Sequence, residues 1–232
     1  MEDPLVFLAR ECPWQPDRIL ATVKGTVYFG MMLSDGRVGV AATLGNTLES
    51  DPQKLRQPDL TRADERIYQL AYSNACLNYD LEGSEEGDIF DRVSFQGEAP
   101  TVMVGYFPPL VKKFRDSGLP LRAFDLHKEY EDAESMERLP EAISQAGRLI
   151  LTATSLINGS AMEVMGQAPA AAPRYLLGPS TPLSKSFAEK YGFTALFGMV
   201  FEPYEFAVLD VIGQGLGTKS FSAFGKKVLI KR

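Results

Sequence analysis

Small and polar residues follow three strand-like segments in the second half of the chain, at residues 101–109, 149–160 and 175–184. Each segment runs from apolar residues into a loop that begins a predicted helix. In an open parallel α/β sheet such loops lie side by side at the carboxyl ends of the strands, where ligands bind. Backbone N–H groups at helix N-termini also suit an anionic or polar ligand. The three loops therefore predict one binding site.

The first loop argues against a dinucleotide site. Gly105 is followed by Phe107, Pro108 and Pro109, whereas a dinucleotide-binding loop carries the glycine pattern GxGxxG. Asp125 ends the next predicted strand, at the spacing expected of a ribose-binding carboxylate. Because the glycine pattern fails, NAD(P) is not expected, and Gly105, Phe107, Pro108 and Asp125 are candidates for another ligand. Alternatively, the prolines only start a helix and Asp125 is a solvated strand end.

The middle loop is the richest in hydrogen-bonding side chains. It holds five short polar residues, Thr152, Thr154, Ser155, Asn158 and Ser160. Hydroxyl and amide groups donate to a carboxylate, a phosphate or the edge of a pterin-like ring. Helix capping explains one or two of these residues, so a ligand role is favoured for the loop as a whole.

The third loop is stiff. It consists of Gly178, Pro179, Ser180 and Thr181, followed by Pro182. Proline lowers the entropy that a loop loses on ordering, as a preformed binding surface requires. Ser180 lacks the GxSxG context of a hydrolase nucleophile. We predict that these four residues line the site, and that Thr181 can also cap a helix starting at Pro182.

Two asparagines stand out on a helix predicted over residues 61–78, which begins with a capping pattern at Thr61. Asn74 and Asn78 lie one turn apart on an otherwise apolar face. A buried amide must form hydrogen bonds. Either both satisfy loop backbone, or they offer amides to a ligand between two domains. Gly39 and Ala41, on a predicted strand, would allow close approach of that strand.

Metal-ligating residues are scarce. The chain has one histidine, His127, and two cysteines, Cys12 and Cys76, without a CxxC motif. We expect the cysteines to be free, half-buried thiols. A zinc-type site cannot be assembled from this set, so any metal would be held largely by oxygen ligands or would arrive inside a small molecule. The sequence names no cofactor.

Three residues are candidates for acid–base chemistry, namely Asp125, His127 and Glu202. Glu202 and Tyr204 follow a predicted strand and are expected to reach the rim of the same cavity. These residues support a rival interpretation, in which the protein is a group-transfer enzyme that uses a nucleotide-like or pterin-like cofactor. Whether the protein is an enzyme stays open on the sequence alone.

The net charge of −6 is unevenly distributed over the 232 residues. Residues 1–99 carry 9 Lys and Arg against 17 Asp and Glu, whereas residues 100–232 carry 15 against 13. Nucleic-acid binding requires a basic surface and is not expected. No apolar run approaches the roughly 20 residues of a membrane span, and the acidic start lacks the features of a secretory signal. A cytosolic location is expected.

The pattern of elements predicts an α/β protein of two domains. A hairpin over residues 18–44 and the helix over 61–78 indicate an α+β domain at residues 1–95, ending in an acidic linker at 82–98. From residue 96 to 232, strands alternate with helices, which predicts βαβ units and a Rossmann-like, mostly parallel, three-layer domain.

Three motifs in this second part resemble a family of bacterial and archaeal proteins of unknown function that is labelled for heavy-metal chelation. They are VGYFPP at 104–109, LTATSLINGS at 151–160 and LGPSTPL at 177–183. Weaker similarity covers residues 39–41 and 70–77. The chain has Ala153 where the family usually has glycine.

The resemblance implies an enolase-N-terminal-like first domain, packed on the Rossmann-like domain with a polar cavity between them. It also implies a small-molecule or metal-chelate ligand as the partner. Self-association into a homo-oligomer is left open.

Overall fold

Two β-sheets organise the chain, and the computed structural model describes residues 2–80, 82–97, 99–125 and 130–232. The smaller sheet contains β1 (Ile19–Lys24), β2 (Tyr28–Leu33) and β3 (Val38–Ala42). It is antiparallel, with β2 in the centre. The helices before and after it in the chain are α1 (Pro4–Glu11) and α2 (Ala63–Leu77).

The larger sheet has seven strands in the described part of the chain. They are β4 (Glu85–Glu86), β5 (Thr101–Val104), β6 (Leu121–Phe124), β7 (Arg148–Thr152), β8 (Arg174–Leu177), β9 (Ala195–Phe201) and β10 (Gly225–Lys231). Their order is β4-β10-β9-β8-β7-β5-β6. The five strands from β9 to β6 pair in parallel, and β10 pairs antiparallel with both of its neighbours. This mixed α/β architecture confirms the predicted fold class.

Short helices connect these strands. They are α3 (Ile89–Arg92), α4 (Pro108–Asp116), α5 (Leu139–Ser144), α6 (Thr154–Ile157), α7 (Ala161–Gln167), α8 (Lys185–Tyr191), α9 (Phe206–Gly213) and α10 (Thr218–Phe221). Within the described residues, no helix is long and apolar enough to cross a membrane.

The direction in which successive strands are added reverses at β5. From β5 the chain passes through α4 to β6 on one side, and then through α5 to β7 on the other side. After β5 and after β7 the chain therefore continues in opposite directions along the sheet. Such a switch point leaves a crevice at the carboxyl ends of the strands. The first two of the three predicted loops meet at this crevice.

Every residue of β2 and β3 is buried, because helices from both halves of the chain cover the smaller sheet. Phe29 belongs to the core cluster of α2, together with Tyr68. On the opposite face, Met32 belongs to a cluster with Leu209 and Ile212 of α9. A helix from the second half of the chain thus completes the core of the first sheet.

β3 lies unusually close to α2. A Cβ atom built on Gly39 would stand 1.9 Å from the carbonyl oxygen of Ala71 and 2.5 Å from the backbone nitrogen of Ala75. Only a residue without a side chain permits this contact between two backbones. The predicted close approach of the strand at Gly39 is confirmed.

The start of α2 differs from the prediction. The helix begins at Ala63, and Thr61 donates its hydroxyl to Asp59 Oδ1 (2.7 Å) instead of capping the helix. The carboxylates of Asp64 and Glu65 accept from the backbone nitrogens of Ser50 (3.1 Å) and Asp59 (2.6 Å) respectively. The acidic first turn of α2 therefore holds the preceding loop rather than closing a capping box.

Other local predictions also differ from the structure, because tertiary contacts decide them. The predicted acidic linker contributes β4 and α3, because Glu85 and Glu86 pair with β10. The residue pattern predicts no helix at the position of α1, which Asp3 caps through the backbone nitrogen of Leu5 (2.8 Å). The cap of α8 is Ser184, not Thr181, so that helix starts three residues later than predicted.

Candidate functional site

A cavity of about 570 Å³ lies where the smaller sheet faces the switch point of the larger one. We call it the strand-end cavity. The first half of the chain contributes Thr26, Val27, Tyr28, Ala42, Thr43, Leu44 and Gly45 to its lining. The second half contributes Val104, Gly105, Tyr106, Phe107, Asp125, Tyr130, Thr152, Thr154, Ser155 and Asn158. Seven of the predicted site residues are thereby brought together.

The carboxyl ends of β5 and β7 touch at Gly105. Its φ of +98° is readily adopted only by glycine, and a Cβ atom there would lie 1.7 Å from Thr152 Cγ2. The Gly105 nitrogen also donates to the Phe124 carbonyl (2.8 Å). Gly105 therefore sets how closely the two loops approach each other at the base of the cavity.

Asp125 shapes the first loop as well as lining the cavity. Its Oδ2 accepts from the backbone nitrogen of Tyr106 at 2.9 Å. The ring of Tyr106 stacks on Tyr130, with centroids 4.1 Å apart and an interplanar angle of 12°. Asp125 is the single charged side chain among the described lining residues. His127 lies in the segment 126–129, outside the described residues.

The middle loop satisfies many of its own polar groups. The hydroxyls of Thr152 and Thr154 bond each other, so one of the two protons is left for a further acceptor. Ser155 donates to the Thr152 carbonyl (2.7 Å). Asn158 Oδ1 accepts from the nitrogen (3.1 Å) and the hydroxyl (2.7 Å) of Ser160. The loop is thus preorganised, with its threonine pair lining the cavity.

Arg66 of α2 fixes the position of this loop by hydrogen bonds to its backbone. Its Nε donates to the carbonyl of Ile157 (2.6 Å), and its Nη2 donates to that of Leu156 (2.7 Å), at the end of α6. Nη1 donates to Asp3 Oδ2 (2.7 Å). The Arg66 side chain is 11% exposed. The rigid guanidinium fork joins the N-terminus, α2 and the middle loop.

Replacing Arg66 with lysine keeps the charge but removes the fork. One ammonium group cannot reach both α6 carbonyls and Asp3, so we expect Arg66→Lys to lower the free energy of unfolding by about 2–3 kcal/mol. Urea unfolding measures this loss. Arg62→Lys is the matched control: Arg62 lies at the same end of α2 but is 45% exposed, so a much smaller change is expected there. Equal effects at both positions would contradict the assigned role of Arg66.

The third loop lies apart from the strand-end cavity. Gly178 and Pro179 line a second, apolar cavity of about 160 Å³, and Phe107 forms a wall of both cavities. Ser180 and Thr181 are buried and line neither. Pro108 is exposed at the first position of α4. Pro108 and the four residues of the third loop therefore do not line the strand-end cavity.

Side chains cover the outward edge of β3, which has no neighbouring strand. The Val38 nitrogen donates to the Tyr79 hydroxyl (2.7 Å), and the Ala42 nitrogen donates to Ser180 Oγ (2.9 Å). Between them, Asn74 Nδ2 donates to the Val40 carbonyl (2.9 Å). The geometry of Asn74 thus matches the interpretation that it satisfies a backbone group. Ser180, which was predicted to line the site, bonds the backbone of β3 instead.

Asn78 has a similar role in the third loop. Its Oδ1 accepts from the Leu183 nitrogen (2.7 Å), and its Nδ2 donates to the carbonyls of Thr181 (3.0 Å) and Met199 (3.3 Å). Asn78 is 2% exposed. It therefore ties the end of α2 to the third loop and to β9.

Glu202 and Tyr204 do not reach the rim of the strand-end cavity. Glu202 lines a separate depression together with Glu86, Glu205 and Lys226, and its Oε1 lies 3.6 Å from Lys226 Nζ. Tyr204 donates to the Ser34 carbonyl at 3.0 Å, next to the hairpin turn. The expectation of a shared rim is wrong, because β8 separates β9 from β7 in the sheet.

Sequence reasoning missed the contribution of the smaller sheet to the site. Thr43 donates its hydroxyl to the Thr26 carbonyl (2.6 Å), which joins the β1–β2 turn to the end of β3. Gly25 before Thr26 and Gly45 after Thr43 signal turns in the sequence. A local turn signal does not reveal which strand ends the turn will face. Tyr130 carried no signal at all.

The described residues contain no group of three or more His, Cys, Asp and Glu side chains able to hold a metal ion. Asp125 is the one carboxylate of the described lining, and the other polar side chains of that described lining are neutral. Soft heavy metals prefer thiolate and imidazole ligands. The described residues of the cavity do not fit a bare heavy-metal ion.

Residues 88–231 match the model of the family DUF364, which is described as "Putative heavy-metal chelation". The chain belongs to the DUF364 family. The matched range contains all three strand-end loops and most of the larger sheet. The family resemblance of the three motifs is thereby confirmed. No curated protein matches the chain.

Two solved DUF364 structures resemble this one over nearly the full chain. A protein of unknown function from Pyrococcus horikoshii is 19% identical, with a TM-score of 0.82, over 99% of this chain and 100% of that one. A protein of unknown function from Desulfitobacterium hafniense is 19% identical, with a TM-score of 0.73, over 99% and 98% of the two chains. At this identity the likeness establishes the shared DUF364 fold.

Proposed function

We propose that this DUF364 protein binds a small polar molecule in the strand-end cavity. The observation that carries the proposal is the chemistry of the lining. Hydroxyl groups, aromatic rings and the Asp125 carboxylate line the cavity. Hydroxyl groups donate and accept hydrogen bonds, and aromatic rings offer apolar surface, so the lining suits a small molecule that has both polar groups and a ring.

The size and place of the cavity support the same proposal. Its volume of about 570 Å³ is typical of small-molecule sites, which span roughly 300–1,000 Å³. It opens at the switch point between β5 and β7, where parallel sheets bind ligands. Tyr28, Tyr106 and Phe107 supply aromatic surface, and the Thr152–Thr154 pair supplies a hydroxyl donor. Apolar walls with a few fixed polar groups are the usual composition of such sites.

The heavy-metal description of the family is compatible with this ligand class if the metal arrives bound to an organic chelator. A metal enclosed in an organic chelator brings its own donor atoms and presents the chelator to the protein. Hydrogen bonds from the threonine pair and charge attraction from Asp125 would then recognise the chelator. Direct coordination would require ligands that the described lining lacks.

The experiment is a thermal-shift screen with compounds grouped as anionic, neutral and cationic at equal concentration. We expect compounds of at least one group to stabilise the wild-type protein. Thr154→Trp should abolish these shifts, because the indole fills the cavity. Asp125→Asn keeps an acceptor for the Tyr106 nitrogen but removes the charge. It should weaken a cationic ligand about tenfold, since a hydrogen bond to a charged group contributes about 1.5–3 kcal/mol.

Asp210→Asn provides the matched control, because Asp210 is an exposed carboxylate on α9 outside the cavity. This variant should bind all ligands as the wild type does. Shifts that survive Thr154→Trp, or no stabilisation by any group, would refute the proposed site. Titration with bare Ni²⁺, Cu²⁺ and Cd²⁺ adds a metal test. Saturable binding that depends on Asp125 would show that the ion itself is the ligand.

A further inference from the structure

The second, apolar cavity has the size of one aromatic ring. Its volume is about 160 Å³, and a cavity of about 150 Å³ lined by Leu, Ile and Phe side chains takes up benzene. The strands β8 and β9 contribute Leu177, Phe197 and Met199 to the lining, and α4 contributes Leu110. Burying apolar surface against such a lining lowers the free energy. The second cavity therefore suits an apolar group.

The charged residues that line the second cavity are paired with one another. Lys227 Nζ donates to Asp88 Oδ2 at 2.7 Å, and Lys113 Nζ lies 3.3 Å from Asp88 Oδ1. Both lysines are exposed, so the cavity reaches solvent on their side. These charges thus lie at the opening of the second cavity, and a ligand can enter there.

Two contacts join the walls of the second cavity to those of the strand-end cavity. Phe107 lines both, and its Cζ would lie 3.2 Å from a Cβ atom built on Gly178 of the third loop. Tyr28 lines the strand-end cavity and Thr218 lines the second one, and their hydroxyls form a hydrogen bond of 2.8 Å. The polar and the apolar cavity are therefore direct neighbours.

We propose that the second cavity is the apolar subsite of the ligand site, and that it takes the aromatic ring of a molecule whose polar end lies in the strand-end cavity. This inference rests on the proposed function and narrows its ligand to compounds with a polar end and a separate ring. A turn of the Phe107 side chain connects the two spaces. Phe107 is partly exposed, and Gly178 places no side chain against its ring, so this turn needs no movement of the backbone.

The test follows the methyl NMR signals of the full chain, labelled at Leu, Met and Thr. The methyl groups of Leu110, Leu177 and Met199 report on the second cavity, and those of Thr43 and Thr154 report on the strand-end cavity. The probes are toluene, three ring-free head groups (acetamide, methylamine and acetate), and phenylalkyl derivatives of each head group with linkers of increasing length.

We expect toluene to shift the Leu and Met signals of the second cavity and not the Thr signals. At least one phenylalkyl compound should shift both sets of signals. It should also bind at least about tenfold more tightly than its ring-free head group, because the ring buries additional apolar surface.

Leu177→Trp should fill the second cavity. We expect this variant to lose the toluene shifts at Leu110 and Met199, and to bind the phenylalkyl compound no more tightly than its head group. Leu20→Trp is the matched control, because Leu20 is 48% exposed on β1 and lines neither cavity. The control should bind all probes as the wild type does.

The wild-type spectra distinguish failure of this inference from failure of the proposed function, even if Leu177→Trp does not fold. Thr shifts with a head group, combined with no Leu or Met shift with toluene, would overturn the inference and leave the proposed function intact. Toluene binding, combined with no stabilising compound in the thermal-shift screen, would overturn the proposed function and the two-part ligand with it. If both cavities respond but no phenylalkyl compound shifts both sets, they are separate sites and the inference is wrong.

Discussion

Gly39→Ala is expected to lower the free energy of unfolding by about 3–5 kcal/mol, or to prevent folding. The added methyl group would lie 1.9 Å from the Ala71 carbonyl oxygen and 2.5 Å from the Ala75 nitrogen. Both neighbours are backbone atoms of α2, so neither can turn away as a flexible side chain would. Either β3 moves away from α2 or the helix distorts, and both alternatives open the core of the smaller sheet. Urea unfolding followed by circular dichroism measures the effect.

Gly166→Ala is the matched control for this substitution. Gly166 lies inside α7, and a Cβ atom there would meet nothing within 4 Å. Alanine is the better helix former, so a gain of about 0.5–1 kcal/mol is expected. A Gly39→Ala protein as stable as the wild type would show that β3 and α2 are not in backbone contact.

Asn78→Ala is expected to cost about 3–4 kcal/mol, because three buried backbone groups lose their partner at once. They are the Leu183 nitrogen and the carbonyls of Thr181 and Met199. A buried polar group without a partner costs its desolvation free energy, and no hydrogen bond offsets that cost. The third loop would loosen from α2, and amide hydrogen exchange of Leu183 should accelerate together with the loss of stability in urea.

Asn74→Ala controls for the loss of an asparagine from the same helix face. Asn74 is as buried as Asn78, but it makes a single hydrogen bond, to the Val40 carbonyl, and its Oδ1 has no partner. A cost of about 1–2 kcal/mol is expected. A larger loss at Asn74 than at Asn78 would contradict the role of Asn78 as the connection between α2 and the third loop.

The elements of the fold were largely predictable, because periodicity and turn residues are local properties. The strands β5, β7, β8 and β9 follow from apolar runs bounded by loop residues. Their loops follow from the Gly, Pro, Ser and Thr that end them. Order in the sheet is not local, however. The meeting of Gly105 and Thr152 depends on β6 and β7 lying on opposite sides of β5, and the sequence predicted the shared edge but not this contact.

Two features of the site escaped prediction for one reason, namely that long-range packing decides them. Thr26 and Thr43 reach the cavity because α9 holds the smaller sheet from its far face. Asn74, Asn78 and Ser180 have a type and burial that suit a ligand as well as a backbone partner. Only the positions of the β3 edge and of the third loop distinguish the two roles.

The covered edge of β3 has a consequence for how this protein avoids unwanted association. An unpaired strand edge is a template on which another chain can add a strand, and aggregation begins there. Tyr79, Asn74 and Ser180 occupy hydrogen-bonding positions that an incoming strand would use. They come from two distant parts of the chain, so the protection is complete only after both sheets have assembled. A folding intermediate with the smaller sheet alone would expose this edge, and solubility during folding therefore depends on the timely docking of the third loop.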